Sequence, residues 1–243
     1  MSRLKMLTIA LLGPDGAGKS TIGRKLEQIP SLRVKYIYMG VNLESSNMVL
    51  PTTRLLLEAK RARGQRPDIT VPRRLYKAKS RSSRLGRFTT GLRAYFRLAN
   101  LVTEEWFRQL IVWYYQLRGY CVILDRHFYF DYYAHDIAND DPGRPLNSRI
   151  HGFMLDKLYP KPHFVIFLDA PSEVLYARKP EGTLEAREIR RQEYVQMQEV
   201  VKRYAVVDVS RPEEEVLREI SELITKIYQN NNGKPYELGS PSS

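Results

Sequence analysis

The sequence predicts an α/β fold, in which buried strands alternate with amphipathic helices. Three observations carry that expectation. Continuous apolar runs at residues 6–12, 120–124 and 164–168 are of the kind that lies buried on both faces of a parallel sheet. Apolar residues at helical spacing stand between and after them, at Ile22, Leu26 and Ile29 and again at Val216, Ile220, Leu223 and Ile227. The third observation is the stretch joining the first strand to the first helix, which reads Gly13, Pro14, Asp15, Gly16, Ala17, Gly18, Lys19, Ser20, Thr21.

That stretch is G-x-x-x-x-G-K-S with a strand before it and a helix after it. Glycines let successive backbone N–H groups turn inward, and the helix that follows adds the positive end of its dipole, so residues 13–21 can hold a triphosphate. In such a phosphate loop (Walker A), Lys19 reaches the outer phosphates and Ser20 holds Mg²⁺. A plain glycine-rich turn would need neither side chain.

Composition narrows the classes. The chain has 243 residues, 43% of them apolar, enough for one large domain or a domain with an inserted subdomain. Its apolar runs are far shorter than the ~20 residues that span a bilayer. Arg3 and Lys5 before an apolar run imitate a signal peptide, but that run flows into the loop without a small-residue cleavage site, so a cytoplasmic protein is expected. The single cysteine, Cys121, excludes an intrachain disulfide and suits a reducing compartment. The histidines, at 127, 135, 151 and 163, match no metal-ligand spacing. The net charge of +12 is concentrated: residues 54–97 hold 14 of the 39 Lys and Arg but only 2 of the 27 acids, leaving 25 of each elsewhere. A segment so basic is either a solvated insertion or a surface for a polyanion or acidic membrane face.

In chain order, residues 4–12 form the first strand and 21–29 continue as helix until Pro30. Alternating β-formers at 33–39 give the second strand. Residues 41–53 read as loop and 53–63 as a short helix. From 65 to 91, Pro67, Pro72, Gly86 and Gly91 are expected to interrupt any long helix. Residues 92–117 form one, with Leu92, Tyr95, Phe96, Ala99, Val102, Trp106, Leu110, Trp113 and Leu117 as a stripe expected to be mostly core. Phe107, Ile111 and Tyr114 widen it enough to serve a second subunit. Strand 120–124 ends in Asp125, Arg126, His127, and an acid at the end of a strand beside the loop is placed to hold Mg²⁺. Without the loop, the preferred reading would be an acid that caps the next helix. Helices fit 128–138 and 148–158. Strand 164–168 ends in Asp169, a rival for the metal that ranks lower because Pro171 and Ser172 mark a helix entry. The arginines flanking the Pro- and Gly-containing stretch 178–183 have the composition of a mobile lid over phosphates. Residues 204–209 form the last strand, Ser210 and Glu213 a capping box, and 229–243 a polar, disordered tail.

Together, the loop at 13–21, Asp125-Arg126-His127, the stretch F-L-D-A-P-S-E-V-L-Y-A-R at 167–178 and the arginines beyond it resemble the thymidylate kinase family and its relatives, over about residues 4–228. The resemblance implies a P-loop NTPase fold with a five-stranded parallel sheet and a lid at about 178–191, while the basic insertion at about 54–97 fits the family poorly. It also implies ATP with Mg²⁺, transfer of the γ-phosphoryl to a nucleoside monophosphate, thymidylate first, and a homodimer. Carried over by position, Gly13, Asp15, Gly16, Ala17, Gly18, Lys19, Ser20 and Thr21 bind the nucleotide, with Asp15 also near the acceptor sugar. Ser20 and Asp125 hold the metal, and Arg126 holds the acceptor's phosphate. Position 16 is glycine, so the catalytic arginine comes from the lid, with Arg178, Arg187 and Arg191 as candidates. The acceptor half departs from the family. Met39, Gly40, Val41 and Asn42 replace its Arg-Glu-Pro turn, Phe130 and Asp131 stand where a serine is expected, and Glu104 replaces an acceptor-binding arginine that Arg97 or Arg108 could replace in turn. Two other readings remain open: a related kinase acting on a hydroxyl of a sugar, glycan or lipid-linked intermediate, with the basic segment recruiting an anionic substrate, and a nucleotide-sensing switch without transfer.

Overall fold

The computed structural model describes residues 7–40, 50–62, 84–138, 141 and 143–231. The chain divides into two compact units, one formed by Met1–Ile37, Tyr115–Asp125 and Pro162–Ser243, the other by Tyr38–Tyr114 and Arg126–Lys161.

The first unit is built on a five-stranded parallel sheet. Its strands are β1 (Thr8–Leu12), β2 (Val34–Tyr38), β3 (Cys121–Asp125), β4 (Phe164–Asp169) and β5 (Tyr204–Asp208), in the order β2-β3-β1-β4-β5. β1 is central, with Leu11 opposite Asp125 on β3 and Leu12 opposite Phe167 on β4. Strand order therefore reverses at β1, and a ligand crevice is expected beyond the carboxyl ends there. One sheet face packs on α1 (Lys19–Glu27) and α8 (Glu213–Asn231): Ile9, Leu11, Ile123 and Ile166 meet Ile22, Leu26, Val216, Ile220 and Ile224 in a continuous core. On the other face Phe167 lies against Tyr194 of α7 (Leu184–Val200) and Tyr204, ring centroids 5.9 and 6.2 Å apart. Cys121 opens β3 inside the core, and burial pushes its thiol up to about 12. Two boundaries differ from the sequence pattern. α1 begins at Lys19, two residues early, and ends before a 3₁₀ turn at Pro30–Leu32. The expected capping box does not form, because the Ser210 hydroxyl donates to Asp208 at 2.6 Å instead of turning to α8.

The second unit contains α2 (Pro51–Ala62), most of α3 (Arg84–Leu117), α4 (Phe128–Asp131) and α5 (Leu146–Phe153), with wide π turns at Tyr133–Ile137 and Met154–Leu158. α3 runs through Gly86 and Gly91 without a break, since a helical glycine costs only about 1 kcal/mol relative to alanine. Pro67 and Pro72 lie outside the described residues, as does residue stretch 63–83 of the basic segment.

The facing of α3 is largely the reverse of the expectation, with only Val102 and Trp106 of the described stripe half-buried, Trp106 against Tyr159. Tyr95, Phe96, Leu110, Trp113, Tyr114 and Leu117 are exposed, Phe96 by 68% and Leu117 by 79%. The inward face carries Glu104, Glu105, Arg108, Gln109 and Gln116 around Val112. Helical spacing defines a stripe but not its direction, and the polar side goes inward because its charges have partners there. Glu104 accepts from Arg108 at 2.9 Å and from the Leu50 N–H at 3.2 Å. Glu105 meets His151 Nε2 at 2.8 Å, and His151 Nδ1 meets Asp136 at 2.7 Å. Among the described residues no helix is long and apolar enough to cross a membrane.

Candidate functional site

All the strong local geometry at residues 13–20 lies within the first unit. After β1 the chain turns through Gly16 (φ 94°) and Gly18 (φ 80°), both in the left-handed region that side chains disfavour. At Gly16 a Cβ would also stand 2.3 Å from the Leu175 carbonyl oxygen, so the residue has no substitute on two counts. Gly18 ends the loop and α1 starts at once, leaving the unpaired N–H groups of its first turn open to an anion. Ala17 is buried, whereas Asp15 and Thr21 are exposed. Lys19 is buried, and its Nζ donates to the carbonyls of Gly13 at 2.6 Å and Pro14 at 2.9 Å. The ammonium thus rests on the loop's own backbone.

Ser20 Oγ donates to Asp125 Oδ2 at 2.7 Å, and Tyr36 Oη donates to the same oxygen at 2.8 Å. Asp125 Oδ1 is buried without a hydrogen-bond partner. Burial, and then the Asp125 charge, hold the Tyr36 phenol above its ordinary range, so it remains a donor. One bare carboxylate oxygen beside a hydroxyl is a hard-oxygen pair that fits Mg²⁺, which takes one or two carboxylates and fills its shell with water and substrate phosphate. Asp169 differs: both its oxygens accept from Arg191, at 2.6 and 2.8 Å. Asp125 is therefore the strand-end acid with an oxygen to offer.

The three arginines separate. Arg187, on α7, is buried and donates to four carbonyls, those of Asp15, Leu175 (3.4 Å), Lys179 (2.8 Å) and Glu181 (2.9 Å), with its guanidinium 5.6 Å above the Tyr176 ring. It ties the 179–181 segment to the loop at Asp15. Its Nε is buried without a partner. Arg191 is held by Asp169, with Glu188 at 3.3 Å. Arg178 is exposed at the end of α6 (Ser172–Arg178). Only Arg187 is drawn to the loop.

In the second unit, Arg126 adopts left-handed backbone geometry (φ 60°) and is half-buried. His127 is fully enclosed; burial pushes it down to about 3, and its Nδ1 accepts from the Tyr129 N–H at 3.3 Å, capping α4. Arg97 is exposed, while Arg108 is buried and donates to Glu104 and to the Tyr38 carbonyl at 2.6 Å, leaving Nη2 without a partner.

Tyr36 is the site residue that the sequence pattern does not announce. Alternation places it on one face of β2, but no spacing rule links it to an acid 89 residues away. No protein-family model matches the chain, and a search of curated proteins returns no match. The class defined by fold and site is a parallel α/β protein with a glycine-rich loop between its central strand and first helix, facing a strand-end carboxylate.

Proposed function

We propose that the chain is an ATP-dependent phosphotransferase of the P-loop kinase class, related to thymidylate kinases. The observation that carries the reading is the contact of Ser20 with Asp125, which joins the Gly-Lys-Ser loop to a strand-end acid with a bare oxygen. Lys19 leaves its two carbonyls for the outer phosphates of ATP, and the first turn of α1 donates N–H groups to them. Bound Mg²⁺ supplies charge neutralisation at those phosphates, with Ser20 and Asp125 as its protein ligands. Arg187, already donating to the Asp15 carbonyl, is the lid arginine nearest to hand for the charge that spreads over the departing γ-phosphoryl. A nucleoside monophosphate, thymidylate first, is the acceptor, with Arg126 on its phosphate, and the compartment is cytoplasmic.

The test is transfer from labelled ATP with Mg²⁺ to nucleoside monophosphates, nucleosides, sugars and lipid-linked glycans. Selective turnover of thymidylate is the expected result. Transfer to a sugar or glycan hydroxyl alone overturns the acceptor and leaves the phosphotransferase. ATP binding with no transfer to any acceptor returns the chain to a nucleotide-sensing switch.

The partner proposed for the outward face of α3 is a second copy. Six apolar side chains, four of them aromatic, are exposed by 36–79%; at about 150–250 Å² for a large side chain they offer on the order of 500–800 Å². A standard interface uses about 800 Å² per partner. Light scattering should report twice the chain mass, and Leu110→Asp with Leu117→Asp should halve it.

A further inference from the structure

We infer that Tyr36 and Gly23 form a positioning device that fixes the Asp125 carboxylate for its metal. The inference rests on the reading of Ser20 and Asp125 given above and adds two residues to it. Asp125 Oδ2 accepts from two hydroxyls at once, Ser20 at 2.7 Å and Tyr36 at 2.8 Å. A carboxylate so held cannot rotate without losing both bonds. Oδ1, buried and without a partner, is thereby kept in one direction. Ser20 alone would leave the group free to swing about a single bond, and Ser20 is itself a proposed ligand.

The second observation concerns α1. Gly23 sits inside the helix, where glycine is the least favourable residue after proline. A Cβ there would stand 2.3 and 2.5 Å from Cδ2 and Cε2 of Tyr36. The bare backbone is what lets the Tyr36 ring lie across α1 and carry its hydroxyl to Asp125. Ring packing would be served equally by phenylalanine, so the hydroxyl is left with the Asp125 carboxylate, and the Ser20 hydroxyl beside it, as its task. Partners that orient a metal ligand in this way are generally worth 10–100-fold in metal affinity or activity.

The experiment measures Mn²⁺ uptake into the ATP complex by electron paramagnetic resonance, beside metal-free ATP binding and the Mg²⁺ dependence of turnover. Tyr36→Phe is expected to keep its fold and its metal-free ATP affinity, to melt lower by no more than about 2–4 °C, to bind Mn²⁺ at least about tenfold more weakly, and to need correspondingly more Mg²⁺ at half-maximal rate. Gly23→Ala, which touches no polar group, should give the same metal defect by displacing the ring. Tyr36→Phe with unchanged Mn²⁺ affinity and unchanged Mg²⁺ dependence overturns the positioning role while leaving the site reading intact. Wild-type protein that takes up no Mn²⁺ with ATP overturns both. If Gly23→Ala fails to fold, Tyr36→Phe decides alone.

Discussion

Lys19→Ala should abolish ATP binding in a titration and lower any phosphoryl transfer by about 10³-fold, while the far-ultraviolet dichroism stays that of the parent. The size follows from what is removed. A charge-paired donor on a transferring phosphate is worth at least as much as a single oxyanion donor, for which losses run to about 10²–10³. The fold should survive, because Lys19 contributes two hydrogen bonds to the Gly13 and Pro14 carbonyls and nothing to the apolar core. Loss of such bonds costs about 1 kcal/mol each. Lys19→Met, which keeps the aliphatic stem, should behave like alanine in binding and melt closer to the parent. Turnover that persists in both variants would remove residues 13–21 from the chemistry altogether.

The second large effect falls in the other unit and concerns stability. His151 is enclosed with a carboxylate on each ring nitrogen, Asp136 at 2.7 Å and Glu105 at 2.8 Å. Burial pulls the imidazole down, but the hydrogen bonds and charges of Asp136 and Glu105 outweigh it and raise it to about 9. Burial pushes the Glu105 carboxyl up; the His151 hydrogen bond and charge pull against that, and the Asp136 charge adds a smaller upward push. A group raised in the folded state stabilises fully below its unfolded pKa, near 6.5, and that stability is lost as pH rises through about 9. The shift is worth about 3 kcal/mol at most. Denaturation monitored by Trp106 and Trp113, the chain's two tryptophans, should therefore show a midpoint that declines between about pH 6.5 and 9. His151→Ala leaves Glu105 and Asp136 enclosed without their cation and should cost about 3–5 kcal/mol. A midpoint that is flat across that pH range in the parent would mean the imidazole carries no charge.

The parts legible in sequence are those where one residue's conformation dictates its identity. Gly16 and Gly18 stand where the chain takes positive φ, so a glycine pattern reports the loop directly. The strands at β1, β3 and β4 are legible because burial on both faces leaves only apolar residues to use. What spacing cannot reveal is a choice between two faces or among distant partners. α3 has a clean apolar stripe, yet Glu104 and Arg108 face inward because they satisfy each other four residues apart. The contacts of His151 with residues 15 and 46 positions away have no local signature either. Among Arg178, Arg187 and Arg191, composition gives equal claims. Only the carbonyls of Asp15 and Lys179 single out Arg187.

Cys121, the lone thiol of the chain, is 1% exposed at the start of β3, and its pKa is pushed up to about 12. Thiol reagents attack the thiolate, which is scarce while the sulfur stays in the core. Reaction at this sulfur must then wait for the core between β3 and α8 to open, so the rate of alkylation counts openings of that core. With no second cysteine to exchange with, the record cannot be scrambled: the chain carries a single-use clock for the lifetime of its own folded state.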